Sequence, residues 1–185
     1  MGQLGRKTEK EPVDKIALAK IENEARTIGG DIKNLFLILR YTGMHPSVVC
    51  NAKYRLRERV SEDGSIIIEW ERTKKEGKVG YTCLPKHRAI DFDINAFASE
   101  FQQRKRKRSR QYVYDVIKKV AMKAGYANVT PLSLRHSIAV EFLSIGVPSI
   151  VVQQILNVSD RTMKAYGKFT SKGKLDVLKG FGWGV

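Results

Sequence analysis

From Val13 to Arg26 apolar residues return at near-helical spacing, with Ile16, Ala17, Ala19 and Ile21 on one stripe, and Gly29-Gly30 stops the pattern. A second helix is predicted over Ile32 to Tyr41, where Leu35, Phe36, Ile38 and Leu39 are apolar and Asp31 stands at the N-cap position. Pro46, just after His45, suits the first position of a further short helix. Between Tyr54 and Leu84 the period shortens. Arg57 to Val60, Ser65 to Glu71 and Val79 to Leu84 read as three strands, with Asp63-Gly64 and Glu76-Gly77 supplying the turns. Helical spacing returns at Phe92, Ile94, Phe97 and Phe101. It returns again after Ser109, a candidate cap, where Val113, Val116, Ile117, Val120, Ala121 and Ala124 share one face up to Gly125. Pro131 to Ile145 is the next helix, with Ile138, Ala139, Phe142 and Leu143 on its buried side. Pro148 then starts Ser149 to Leu156, and Asn157 to Asp160 is a polar break whose Asp160 would cap a last helix through Tyr166.

These elements predict an α+β chain, mainly α-helical, with a small three-stranded antiparallel sheet. A length of 185 residues suits one domain with a real core. Residues 1–12 read as a flexible lead or linker and residues 13–170 as the domain. Residues 171–185 form a Gly- and Lys-rich tail carrying Leu175, Val177, Leu178, Phe181 and Trp183, which would dock on its own core or on a neighbouring subunit. There is no internal repeat.

Charge narrows the partner. The formal net charge is +15, on an apolar content of 42% that promises a globular core. Such an excess points to a polyanion, because Lys and Arg contacts with phosphates release counterions. The densest basic run is Gln102 to Arg110, with Arg104, Lys105, Arg106, Lys107, Arg108 and Arg110 as candidate DNA-backbone contacts; the alternative is a solvated loop. On charge alone a basic ribosomal or RNA-associated protein remains an equal reading. The two cysteines, Cys50 and Cys83, belong to no Cys-x-x-Cys pair, so neither a disulfide framework nor a zinc site is expected. The polar N-terminus has no signal-peptide core and no run is long enough to span a bilayer, so the expectation is a cytoplasmic, nucleoid- or DNA-associated protein without a membrane partner.

The segment PLSLRHSIAVEFLSIGVPSIVVQQILNVSDRTMKAY, Pro131 to Tyr166, places Leu-Arg-His at the start of one helix and a tyrosine at the end of the last. That order resembles the catalytic domain of the tyrosine recombinase, or phage integrase, family, and so does Tyr41-Thr-Gly-Met. The resemblance runs from about Val13 to Tyr166. It implies a DNA-cutting and -rejoining enzyme of a mobile element, virus or plasmid, working through a 3′-phosphotyrosine intermediate without a metal or other cofactor. Its partner would be double-stranded DNA, bound by a dimer or tetramer of the chain. By position, Tyr166 would be the nucleophile, Arg135 the phosphate clamp and Lys75, in a Lys-x-Gly turn flanked by Lys74 and Lys78, the general acid. Lys74, Lys78 and His136 would contact DNA, with His136 on a different side of its helix from Arg135.

The residue types suit that chemistry. A tyrosyl phosphate stays reactive enough to be resolved by another strand's 5′ hydroxyl. Arginine grips two phosphate oxygens through a planar fork. Three positions depart from the family pattern. His45 stands where the first catalytic arginine usually follows Thr-Gly-Met, and would serve as a weaker, pH-dependent cation or as a mere helix start. Leu132 and Val158 stand where two histidines, or a histidine and a tryptophan, are usual. Loss of one preorganised donor costs on the order of 10²–10³ in rate. The second reading is therefore a DNA-binding relative with impaired catalysis, such as a regulator or a mobile-element relic.

Overall fold

Asp14 opens the first helix. Its side chain accepts from the Ala17 backbone N–H at 2.8 Å, and α1 runs over Lys15–Ile28. The computed structural model describes residues 12–50, 57–60, 66–71, 79–84 and 109–167; the strand residues are described by backbone pairing alone. Gly29, at φ 72°, closes α1 and serves as the N-cap of α2, Gly30–Thr42. Asp31 is therefore not the cap expected of it. It lies in the first turn of α2, where its carboxylate faces the positive end of the helix dipole.

Helix α2 is the centre of the fold. Every residue from Asn34 to Arg40 is buried, on all sides of the helix. α1, α4 (Arg110–Lys123) and α5 (Pro131–Ser144) pack around it. The stop at Gly43 explains the Thr-Gly-Met sequence. Thr42 Oγ1 donates back to the Ile38 carbonyl and accepts from the Met44 N–H at 3.0 Å. Gly43 then turns the chain in the left-handed region at φ 60°. A side chain there would meet Leu156 Cδ2 at 2.5 Å and Ile138 Cγ2 at 3.0 Å. The short helix α3, Pro46–Val49, follows with Pro46 at its first turn, as the sequence predicts.

Ser109 caps α4 by accepting from the Tyr112 N–H at 3.1 Å, and the predicted face of Val113, Val116, Ile117, Val120 and Ala121 is the buried one. Thr130 and Ser133 form a capping box at the start of α5. The first half of α5 buries Ser133, Leu134, Arg135, Ser137, Ile138 and Ala139, so this stretch has no polar face. Ser137 is satisfied across the fold: its Oγ accepts from the Val13 N–H at 2.8 Å and lies 3.2 Å from the Val13 carbonyl. α6 is Ser149–Leu156, ended by Asn157 in the left-handed region at φ 50°. Residues 160–167 form the last described helix, α7. Ser159, not Asp160, stands at its start: Ser159 Oγ accepts from the Thr162 N–H at 3.4 Å, while Asp160 accepts from Gln153 Nε2 at 2.7 Å.

The core has two parts. A larger cluster joins α1, α2, α4 and the start of α5 through residues such as Ile21, Phe36, Leu39, Ile117 and Leu134. A smaller one joins α5, α6 and α7 through Ile138, Ala139, Val152, Leu156, Met163 and Tyr166. The expected α+β class, with a three-stranded sheet in the catalytic core, is corrected to a helical domain. Every buried apolar residue among those whose side chains are described lies on a helix or in a turn joining helices. The physical reason is that α2 buries all its sides and α1, α4 and α5 close around it. The backbones of Arg57–Val60, Ile66–Glu71 and Val79–Leu84 form an antiparallel ladder, with Glu58 opposite Ile68 and Ile68 opposite Thr82. The predicted helix at 92–101 lies outside the described residues.

Candidate active site

Three helices and one turn meet at Arg135. It sits in the second turn of α5 and is 8% exposed. Its guanidinium donates to the backbone carbonyls of Gly43, after α2, and Leu156, at the end of α6. The Tyr166 hydroxyl, from α7, lies beside it, close enough for each group to bear on the other's ionisation. One fork thus ties the turn after α2 to the two helices that follow α5. Both carbonyls lie at helix C-termini, where main-chain acceptors have no partner inside the helix and a cation is favoured.

Tyr166 is 2% exposed, held in the smaller cluster with Met163 and Leu156. Burial lifts its phenol above the ordinary 10.0, and the neighbouring Arg135 charge and hydrogen bond oppose that rise without cancelling it. Burial likewise pulls Arg135 below its ordinary value, with the Tyr166 contact acting the other way. Arginine's intrinsic basicity is high enough that the guanidinium keeps its charge. The pair in this state is a charged fork beside a neutral phenol.

His136 is not on a side remote from this pair. Its ring centroid lies 5.2 Å from that of Tyr166 at an interplanar angle of 70°, an edge-to-face contact. Arg135 and His136 are adjacent on α5, about 100° apart around the helix axis. The Tyr166 side chain lies across both, oxygen on one and ring on the other. His45 is the N-cap of α3: its Nδ1 accepts from the Ser47 N–H at 3.2 Å and lies 2.7 Å from Ser47 Oγ. That is two residues from the Gly43 carbonyl that Arg135 holds. Arg40, the arginine nearest the Thr-Gly-Met turn in sequence, is engaged elsewhere. It makes a bidentate pair with Glu141 of α5 at 2.7 and 2.9 Å and lies over the Tyr41 ring. Arg110 is an exposed residue at the start of α4. Lys74, Lys75 and Lys78 and the run from Arg104 to Arg108 lie outside the described residues.

The Gly43 and Leu156 acceptors were invisible in the sequence because they are main-chain groups. A second polar centre, Glu22, is 6% exposed, binds Arg26 at 2.8 Å and accepts from the Tyr41 hydroxyl at 2.5 Å. Its signal in the sequence is a glutamate on the apolar stripe of α1, one residue past Ile21. Among the described residues no group of three His, Cys, Asp or Glu could hold a metal ion, and no helix is long and apolar enough to cross a membrane.

No family model matches the chain. Curated relatives do. The chain is 31% identical over 160 residues to tyrosine recombinase XerA of Pyrococcus horikoshii, covering 80% of the chain and 53% of that protein. It is 31% identical over 147 residues to tyrosine recombinase XerA of Thermococcus kodakarensis, covering 74% and 50%. The chain thus spans about half the length of the curated relatives it matches. Among solved structures, a crystal structure of XerA recombinase superimposes with a TM-score of 0.73 at 17% identity, over 93% of this chain and 65% of that one. XerH site-specific recombinase, bound to a palindromic difH substrate in a post-cleavage complex, superimposes with a TM-score of 0.67 at 18% identity, over 92% and 52%. At these identities the superpositions speak for the fold, while the curated relatives carry the family: the chain belongs, as a divergent member, to the tyrosine recombinases.

Proposed function

We propose that the chain is the catalytic part of a site-specific DNA recombinase in which Tyr166 attacks a DNA phosphate. The observation that carries this reading is the buried Arg135–Tyr166 pair, in which a phosphate-binding side chain and a nucleophile of the right chemistry meet. Tyr166 Oη bonds to phosphorus and the bond to the 5′ oxygen breaks, leaving a 3′-phosphotyrosine. The phenol proton leaves to solvent as the Arg135 charge stabilises the developing anion, and the departing 5′ oxygen takes a proton from Lys75. Attack by a 5′ hydroxyl from another strand reverses the step and frees Tyr166. His45 supplies a further donor to the phosphate. Lys74, Lys78, Arg104, Lys105, Arg106, Lys107, Arg108 and Arg110 neutralise the duplex backbone, in keeping with the net charge of +15. The active form is a dimer or tetramer on paired sites, carried by a mobile element, virus or plasmid.

Tyr166 is 2% exposed, so the packing around its hydroxyl has to open before a phosphate can enter. The incoming phosphate then replaces the Tyr166 oxygen on the Arg135 fork. A second reading, a DNA-binding relative with impaired catalysis, draws support from the same geometry: Arg135 is already engaged by two carbonyls, and His45 works as a helix cap.

Covalent capture separates the two. The protein is incubated with a pool of nicked duplexes whose central site is randomised, so that the cleaved flank diffuses away, and is run on a denaturing gel beside Tyr166→Phe and Arg135→Ala. An adduct that Tyr166→Phe abolishes and Arg135→Ala lowers by on the order of 10²–10³ supports the enzyme. Salt-sensitive duplex binding without any adduct supports the second reading.

A further inference from the structure

We infer that His136 is a positioning residue for Tyr166, fixing the plane of the phenol ring for attack; this rests on the covalent reading above. The Tyr166 side chain has two ends to hold. Its oxygen lies beside Arg135, and its ring meets the imidazole of His136 edge to face, 5.2 Å between centroids. A contact at the oxygen alone leaves the ring free to turn about its bond to Cβ; the oxygen stays on that axis, but its lone pairs turn with the ring plane and lose their direction toward phosphorus. A second contact on the ring removes that freedom. Because the two holding residues are consecutive on α5, they move as one body, and the angle between the phosphate clamp and the nucleophile is set by one turn of helix.

The contact is ring to ring, and this separates positioning from proton transfer. A base would need to engage the phenol oxygen, whereas the contact of His136 is with the ring. An aromatic pair needs only the shape and edge of a ring, so phenylalanine would reproduce it and alanine would not. Chain geometry makes the role specific. Of the chain's three histidines, His45 caps α3, His87 lies outside the described residues, and His136 touches the nucleophile. The positions where the family usually has histidines hold Leu132 and Val158.

The test uses the full chain with the captured duplex from the randomised pool, comparing wild type, His136→Ala and His136→Phe across pH. In parallel, protein with carbon-13-labelled tyrosine rings is followed by NMR, the Tyr166 signal being the one that Tyr166→Phe removes. Positioning predicts that His136→Ala slows adduct formation roughly tenfold and displaces the Tyr166 ring signal, with the substrate concentration for half-saturation little changed. It predicts that His136→Phe recovers the rate to within about threefold, with a pH profile of unchanged shape. Wild-type rates in a folded His136→Ala protein would overturn the inference. So would a His136→Phe protein as slow as the alanine variant, which would assign imidazole chemistry instead. No adduct from wild type would sink the covalent reading and the positioning role with it. The labelled spectrum tells these failures apart, since a Tyr166 signal indifferent to His136→Ala removes the contact itself.

Discussion

Gly43→Ala is the substitution whose cost the structure fixes most directly. The residue sits at φ +60°, where an alanine loses about 1–2 kcal/mol relative to an ordinary backbone conformation. The added methyl carbon meets Leu156 Cδ2 at 2.5 Å and Ile138 Cγ2 at 3.0 Å, in the cluster that also holds Tyr166. Forcing one extra carbon into such packing costs about 1–3 kcal/mol more. The total is about 2–5 kcal/mol, and for a domain of this size a loss of about 3 kcal/mol lowers Tm by about 6–12 °C. Gly125 provides the control. Its φ is +90°, yet a Cβ there meets nothing within 4 Å. Gly125→Ala therefore carries the backbone cost alone, about 1–2 kcal/mol. Thermal and urea denaturation of the two variants measure the difference. If Gly43→Ala melts together with Gly125→Ala, then the turn after α2 is not packed against Leu156 and Ile138, and the account of how Arg135 reaches the Gly43 carbonyl fails with it.

Further outcomes follow from other contacts. Glu141→Ala leaves the Arg40 guanidinium, 9% exposed, without its carboxylate and should cost about 3 kcal/mol by urea denaturation; a double-mutant cycle with Arg40→Ala should recover much of that, and strict additivity would show that the pair is not coupled. Burial pushes the Cys50 thiol up to about 11, two units above its ordinary 9.0, so at pH 8 its alkylation should run roughly 100-fold slower than that of a free cysteine, read by peptide mass mapping. Tyr166 has a raised folded pKa, so its contribution to stability is intact below the unfolded value near 10 and is lost as pH rises through the folded value. Ultraviolet titration of wild type against Tyr166→Phe should show this phenol ionising above pH 10, and an ordinary or lowered midpoint would refute its burial against Arg135.

Much of the helical scaffold was legible because periodicity and caps are local. Ser109 before the Val113 face and Pro131 at the start of α5 both marked their helices in the sequence. Two caps went to the wrong neighbour for a local reason as well. Gly29 can take a positive φ that frees Asp31 from capping, and Ser159 outcompetes Asp160, whose carboxylate faces Gln153. The α+β class was corrected because the described core is carried by α2 and the helices packed around it, which a local strand pattern does not report. The order of motifs singled out Arg135 and Tyr166, and the structure brings the two together, whereas the contact of the Tyr166 ring with His136 was not legible in it. Nor could local pattern reveal that Arg40 would pair with Glu141, 101 residues away, since only packing of α2 on α5 joins them.

The Val13–Ser137 clasp has a mechanical consequence. Both main-chain groups of Val13 lie within hydrogen-bond distance of one hydroxyl, two positions past Arg135 on α5. Whatever is attached ahead of Val13, whether tag, linker or another folded unit, is anchored to the helix that carries Arg135. A pull on that attachment is shared between α1, through the backbone, and α5, through this clasp, so the N-terminal segment is a handle on both helices.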